Sequence, residues 1–177
     1  MIEIQRLKES LSYNPLTGIL TWKVRPLHHF PDARAHKSWN SHYSLKETGC
    51  IDPNGYLRVN ILGTPYLAHQ LIWALHYGEY TDFIDHINLD PSDNRISNLR
   101  KCTLSQNQHN RTISKNNKSG YKGVCWNPKT SKWRAYIVLN WKQKHLGFFD
   151  DIKKAHEAYC HASDLLHGEF SNHGTKA

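Results

Sequence analysis

The chain has 177 residues, 38% hydrophobic and 11% aromatic, which suits one medium domain or two small ones and argues against a disordered chain. A formal net charge of +8 and a pI near 9.3 favour a polyanionic partner. The four cysteines, Cys50, Cys102, Cys125 and Cys160, form no C-x-x-C pair, so neither a zinc knuckle nor a disulfide framework is expected, and the thiols read as reduced and packed.

No apolar run is long enough to span a bilayer, and "MIEIQRLKES" lacks the basic-then-apolar pattern of a secretory leader; an intracellular, cytoplasmic protein with no membrane partner is expected. "YNPLTGILTW" predicts a turn at Asn14 to Gly18 and then a short strand. The polar stretch from Lys23 to Glu47, with Pro26, Pro31 and His28, His29, His36 and His42, reads as a mobile, solvated loop. "DPNG" is a turn, "YLRVNIL" alternates in period two, and "YLAHQLIWALHYG" places Leu71, Ile72, Ala74 and Leu75 at helical spacing, predicting a helix from about Ala68 to Tyr77 stopped by Gly78. His69 and His76 on that helix read as core or surface residues.

A short strand ending at Asp85 and His86 follows, then a loop through "NLDPSDNR" shaped by Asp90, Asp93, Asn94 and Arg95, and a second strand at about 98–102. Thr103 is placed to cap a helix over 104–112. The polar run 112–119 reads as a linker. Beyond it, "YKGVCW", "KWRAYIVL" and "KHLGFF" predict three strands. "DDIKKAHEAYCHASDLLHG" predicts a helix whose Ile152, Ala155, Ala158, Tyr159, Ala162, Leu165 and Leu166 cover one face of that sheet.

Charge is unevenly spread. Every charged residue from Glu79 to Asp93 is acidic, whereas Asn94 to Phe149 holds twelve lysines and arginines and no acid. Such a stretch is relieved by duplex DNA, whose neutralised phosphates release counterions. Interleaved with these cations are Tyr121, Trp126, Trp133, Tyr136 and Trp141, a pattern suited to a sheet laid on a nucleic acid. Trp133 alternates with the cationic positions and faces inward, which favours Trp126 of the two as a DNA contact.

The acidic patch carries the chemistry. Phosphodiester hydrolysis needs an activated water, neutralised charge at phosphorus and help for the leaving oxygen, which a neutral imidazole and one divalent cation can supply. Neighbours on a strand point to opposite sides, so a strand end at Asp85–His86 lets the carboxylate turn to a metal held jointly with the following helix while His86 faces the water. Oxygen ligands without a thiolate suit Mg²⁺ or Mn²⁺.

The run "AHQLIWALHYGEY … IDHINLDPSDNRISNLRKCTLSQNQHNR" resembles the HNH endonucleases of phages and mobile introns, and "SGYKGVCWNPKTSKWRAYIVLNWKQKHLGFFDDIKKAHEAYCHASDLLHGEF" resembles an AP2 DNA-binding domain. The resemblance implies an α+β chain: a ββα-metal HNH core followed by an AP2-like three-stranded antiparallel sheet packed on one helix. Its divisions would be 1–111, with the core at about 66–111, a linker at 112–119, and the AP2-like domain at 120–177. It implies His86 as general base, Asp85 as metal ligand, Asn98 as the brace of the loop between the strands, and Asn107 as second ligand, with His109 the rival. Arg111 would hold the scissile phosphate. Lys122, Trp126, Lys129, Lys132, Arg134, Tyr136, Lys142 and Lys144 would meet DNA.

The expected activity is metal-dependent nicking of double-stranded DNA by a monomer; the alternative is a non-catalytic DNA-binding regulator with a vestigial site. One hairpin departs from the AP2 pattern. Asn140 and Trp141 stand where Asn-Gly suits a tight turn, so either the loop exceeds two residues or Trp141 is tolerated under strain because it contacts DNA.

Overall fold

In the computed structural model, which describes residues 1–174, helix α1 (Ile4–Ser10) precedes the first hairpin, β1 (Leu11–Tyr13) with β2 (Leu20–Trp22). The hairpin pairs Leu11 with Trp22 and Tyr13 with Leu20, and the turn falls at 14–18 as its Asn-Pro and Gly predict. Residues read as a solvated loop instead form α2 (Ala33–Tyr43). Asp32 caps it by accepting the Ala35 N–H at 2.7 Å. With only Trp39 and Tyr43 as large apolar residues, α2 has no hydrophobic stripe to announce it, and none of its residues is fully buried. Asn40 fastens it instead, accepting from the Arg25 N–H and donating to the Arg25 carbonyl, both at 2.9 Å. The Arg25 guanidinium lies 4.6 Å from the Trp39 ring centroid and 4.8 Å from that of Phe30.

Next come β3 (Cys50–Ile51), β4 (Leu57–Ile61) and β5 (Thr64–Leu67), an antiparallel sheet in sequence order, and then α3 (Ala68–Tyr77). The expected helix bounds are observed. Gly78 adopts φ 75°, and its N–H caps the Ala74 carbonyl at 3.0 Å. Leu71, Ile72 and Ala74 join Leu7, Leu11, Leu20, Val59 and Ile61 in one core. β6 (Ile84–His86) and β7 (Leu99–Lys101) form a separate antiparallel pair, Ile84 opposite Lys101, Asp85 opposite Arg100 and His86 opposite Leu99. These elements make up the first of two compact units, Met1–Lys101.

The second unit, Cys102–Ala177, begins before the predicted helix, so the division falls ahead of 104 rather than at a linker after Arg111. α4 (Leu104–His109) is shorter than expected and ends before Arg111. Its start is a capping box: Thr103 Oγ1 accepts from the Gln106 N–H, and Gln106 Oε1 accepts from the Thr103 N–H. Its end is tied into the same unit. Asn172 donates to the Asn110 carbonyl at 2.9 Å, and the His109 and His167 rings stack at 3.6 Å. The predicted linker is ordered by side chains, with Ser119 Oγ donating to the Val124 carbonyl at 2.8 Å and Asn117 Nδ2 to that of Tyr121 at 2.9 Å.

The three expected strands are β8 (Val124–Asn127), β9 (Lys132–Leu139) and β10 (Lys142–Phe149), antiparallel in order β10-β9-β8 with a bulge between His145 and Gly147. α5 (Ile152–His167) packs against all three, with Asp151 as its N-cap. Ala155, Ile152 and Ala158 meet Val124, Ala135 and Trp133. Leu165 and Leu166, expected on this buried face, lie outside it, Leu165 being 71% exposed; Ser163 takes the buried position and shares a hydrogen bond with Ser171 at 2.8 Å. None of the four cysteines forms a disulfide among the described residues, but only Cys102 is buried, and Cys50 is exposed rather than packed. No helix among the described residues is long and apolar enough to cross a membrane.

Gly123, at φ 70°, has no room for a Cβ, which would overlap the Tyr159 ring. Gly123→Ala therefore destabilises the second unit by about 2–4 kcal/mol through overpacking and backbone strain. A urea titration reads this as a lowered midpoint with an unchanged slope.

Candidate active site and nucleic-acid face

Asp85 and His86 are adjacent on β6 and turn to opposite sides of it, yet both are buried, at 4% and 6% exposure. The cross-strand register brings Asp85 beside Arg100, whose Nε and Nη2 donate to Asp85 Oδ2 at 2.8 and 2.7 Å. His86 packs against Tyr56 and His69, with ring centroids 6.0 and 5.1 Å away. His86, expected to face the attacking water, keeps 6% of its surface exposed beside these two rings.

Asn94, read from sequence only as a loop-shaping residue, sets the proton on His86. Its Nδ2 donates to the Ser92 carbonyl at 3.1 Å, which turns Oδ1 toward His86 Nε2 at 3.4 Å. An amide oxygen only accepts, so it is Nε2 that carries a hydrogen toward Asn94. Burial lowers the His86 pKa, partly opposed by the Asn94 hydrogen bond and the charges of Asp85, Asp90 and Asp93.

The loop between the strands is held by Asn98. Its Oδ1 accepts from the Asn88 N–H at 3.0 Å, while Nδ2 donates to Asn88 Oδ1 at 2.9 Å and to the Asp93 carbonyl at 2.8 Å. Asp93 is held down at about 2, first by its hydrogen bond from Arg95. Asp90 accepts from the Ser92 N–H at 2.9 Å. The first hairpin presses on this loop from outside: Tyr13 Oη donates to the Asn94 carbonyl at 3.0 Å, and a Cβ on Gly18 would lie 2.8 Å from the Arg95 nitrogen.

Asn107 lies half-buried on α4 in the second unit. His109 is occupied differently, stacked on His167 and hydrogen-bonded through Nε2 to Ser105 Oγ at 3.3 Å. Arg111 donates to Gln108 Oε1 at 3.3 Å. Among the described residues one carboxylate–histidine cluster has metal-ligand spacing, Glu9 with His28 and His29, its ligand atoms within 4.8 Å of one another. Arg25 Nε donates to His29 Nδ1 at 3.3 Å, which puts the His29 proton on Nε2, facing Glu9 Oε2 at 2.9 Å. That polarity describes a hydrogen-bonded clamp, since a ligating nitrogen must be unprotonated.

The expected DNA contacts divide among several places. Arg134 and Tyr136 share the sheet face turned away from α5, with the guanidinium 5.6 Å from the Tyr136 ring centroid and donating to Gln143 at 2.6 Å. Paired positions add His145 and Phe148 to that face, residues the sequence reading missed although period-two alternation marks them. Lys132 pairs with Asp150 at 3.2 Å, and Lys129 is exposed in the β8–β9 turn.

Four of the expected contacts lie elsewhere. Trp126 lies opposite Trp133, with the ring centroids 5.1 Å apart, and so belongs to the helix side. Lys142 and Lys144 stand opposite Leu139 and Ile137 and share their face, though both are exposed. Lys122 donates its ammonium to the carbonyls of His109 and Arg111 at 2.7 and 2.6 Å, and burial lowers its pKa to about 8, so it serves as a structural tie.

The histidines give the first unit an acid-sensitive element. Burial, followed by the charge of His86, pulls His69 down to about 3, whereas an unfolded imidazole titrates near 6.5. Between these values the unfolded chain takes up a proton the native one refuses, so this contribution is fully present above about 6.5 and lost as pH falls toward about 3. The denaturation midpoint of the first unit drops across that range, and His69→Gln gives a shallower dependence.

Residues 66–109 match the HNH endonuclease family model, a span that takes in α3, β6, β7 and α4. No solved structure gives a significant match to the chain. Protein 3.8 of Escherichia phage T7 is 30% identical over 105 residues, covering 58% of this chain and 86% of that protein. The chain therefore belongs to the same family as Protein 3.8 of phage T7, and its residues 66–109 match the HNH endonuclease family model.

Proposed function

We propose that the protein is a metal-dependent endonuclease that nicks one strand of duplex DNA. The observation that carries the reading is the arrangement of His86: a buried, neutral imidazole whose Nε2 proton is directed at Asn94, within a segment matching HNH endonucleases. The imidazole accepts a proton from the attacking water, and burial favours the unprotonated form a general base requires. Asn98 fixes the loop from which Asn94 acts. Arg111 binds the scissile phosphate. The products are a 5′-phosphate and a 3′-hydroxyl, and one such unit per chain gives a nick.

Asp85 and Asn107 are the proposed protein ligands of one divalent cation, and an oxygen-only donor pair fits Mg²⁺ or Mn²⁺. When bound, the cation supplies charge neutralisation at the phosphorane and the leaving oxygen. Arg100 already grips Asp85 Oδ2, so the carboxylate would serve the guanidinium and the cation together.

The second unit is proposed as an AP2-like DNA-binding module. Its open sheet face, with Arg134, Tyr136, Gln143 and His145, suits a duplex groove, and Lys129, Lys142 and Lys144 add positive charge. A second reading is favoured by the burial of His86 and the Arg100 grip on Asp85: a DNA-binding regulator whose HNH site is inactive.

Supercoiled plasmid with Mg²⁺ or Mn²⁺, and chelator as control, separates the two readings. The nuclease reading predicts metal-dependent open circles and a loss of about 10²–10⁴-fold in rate for His86→Ala with DNA binding retained. Asn94→Ala slows nicking by up to about 10²-fold by freeing the ring's orientation. Wild-type protein that binds plasmid without nicking it establishes the regulator, and full nicking by His86→Ala refutes the assignment of the base.

A further inference from the structure

The β9–β10 hairpin is tight. Leu139 pairs with Lys142, leaving only Asn140 and Trp141 in the turn, at φ 48° and 63°. This is the backbone in which both central residues are left-handed, where Asn-Gly is the unstrained choice. Asn tolerates it, but a tryptophan does so at a conformational cost. The indole recovers little by burial, being 67% exposed. An aromatic residue held in a strained turn and presented to solvent offers the fold nothing that glycine would not offer more cheaply.

The surroundings indicate what the ring meets. Lys142 follows it directly, Lys144 lies on the same strand, and no acid occurs between Asn94 and Phe149. A partner at the hairpin tip is therefore polyanionic and must also present a flat apolar surface, a combination found in nucleic acid, where every base has a π face. Bases in a duplex are stacked on each other, so the ring reaches one by entering a base step from a groove, as apolar wedges do.

We propose that Trp141 is a wedge contact to duplex DNA, stacking on a base at a partly opened step while the neighbouring lysines hold the phosphates. The inference rests on the DNA-binding reading of the second unit but not on nuclease chemistry.

The test is a binding titration of labelled duplex with full-length protein in chelator, at several salt concentrations, comparing wild type, Trp141→Gly and Trp141→Phe, alongside thermal melts. Glycine relieves the turn, so Trp141→Gly melts no lower than wild type, yet it binds roughly 5- to 150-fold more weakly. Because the indole is uncharged, the slope of log affinity against log salt stays unchanged. Trp141→Phe keeps a stacking face and binds more tightly than the glycine variant. Equal affinity of wild type and Trp141→Gly overturns the wedge while leaving the DNA reading intact. A loss accompanied by a shallower salt slope also overturns it, since displaced lysines would then be the cause. No binding by wild type overturns both the wedge and the DNA reading.

Discussion

The pairing of β6 with β7 depends on the Asn98 amide, which uses its oxygen and its nitrogen to close the loop that joins the two strands. A polar side chain buried with three such bonds is favourable only while all of them are made, so the loop has one low-energy arrangement. That arrangement sets the register, and the register sets the chemistry. Asp85 falls opposite Arg100 on one side of the strand, and His86 is delivered to Tyr56, His69 and Asn94 on the other. A slip of one residue would exchange the two faces and destroy both environments.

Support reaches this loop from far away in sequence. The first hairpin touches it through the Tyr13 hydroxyl and through the backbone at Gly18, where a side chain would collide with Asn94 and Arg95. The hairpin is itself anchored by Leu11 and Leu20 in the core that α3 completes. Core packing, hairpin placement, loop shape and the tautomer of one imidazole thus form a single chain of dependence, in which each link is a contact of ordinary strength.

Much of this was legible in the sequence where one local signal dominates. The apolar spacing and Gly78 define α3, Thr103 starts α4, and period-two alternation gives β9. The failures have physical causes. α2 is held by Asn40 and by rings around Arg25, so its sequence carries no apolar stripe, although Asp32 was a readable cap. Leu165 and Leu166 fit the helical pattern of α5, but only the packed sheet reveals that Ser163 takes the buried place. Trp126 looked outward until the register put it against Trp133, and Lys122 looked like a DNA contact until two backbone carbonyls claimed it. In the site, the adjacency of Asp85 and His86 was plain from the sequence. Asn94 was not, because its role comes from the folded loop rather than from spacing along the chain.

We propose that Asn94 fixes a neutral His86 with its proton on Nε2. Imidazole ¹⁵N chemical shifts of full-length protein, assigned to residue 86 by comparison with His86→Ala, read this directly. The expected pattern is a protonated Nε2 and an unprotonated Nδ1 near neutral pH, lost in Asn94→Ala. A ring protonated at Nδ1, or an imidazolium under the same conditions, contradicts it.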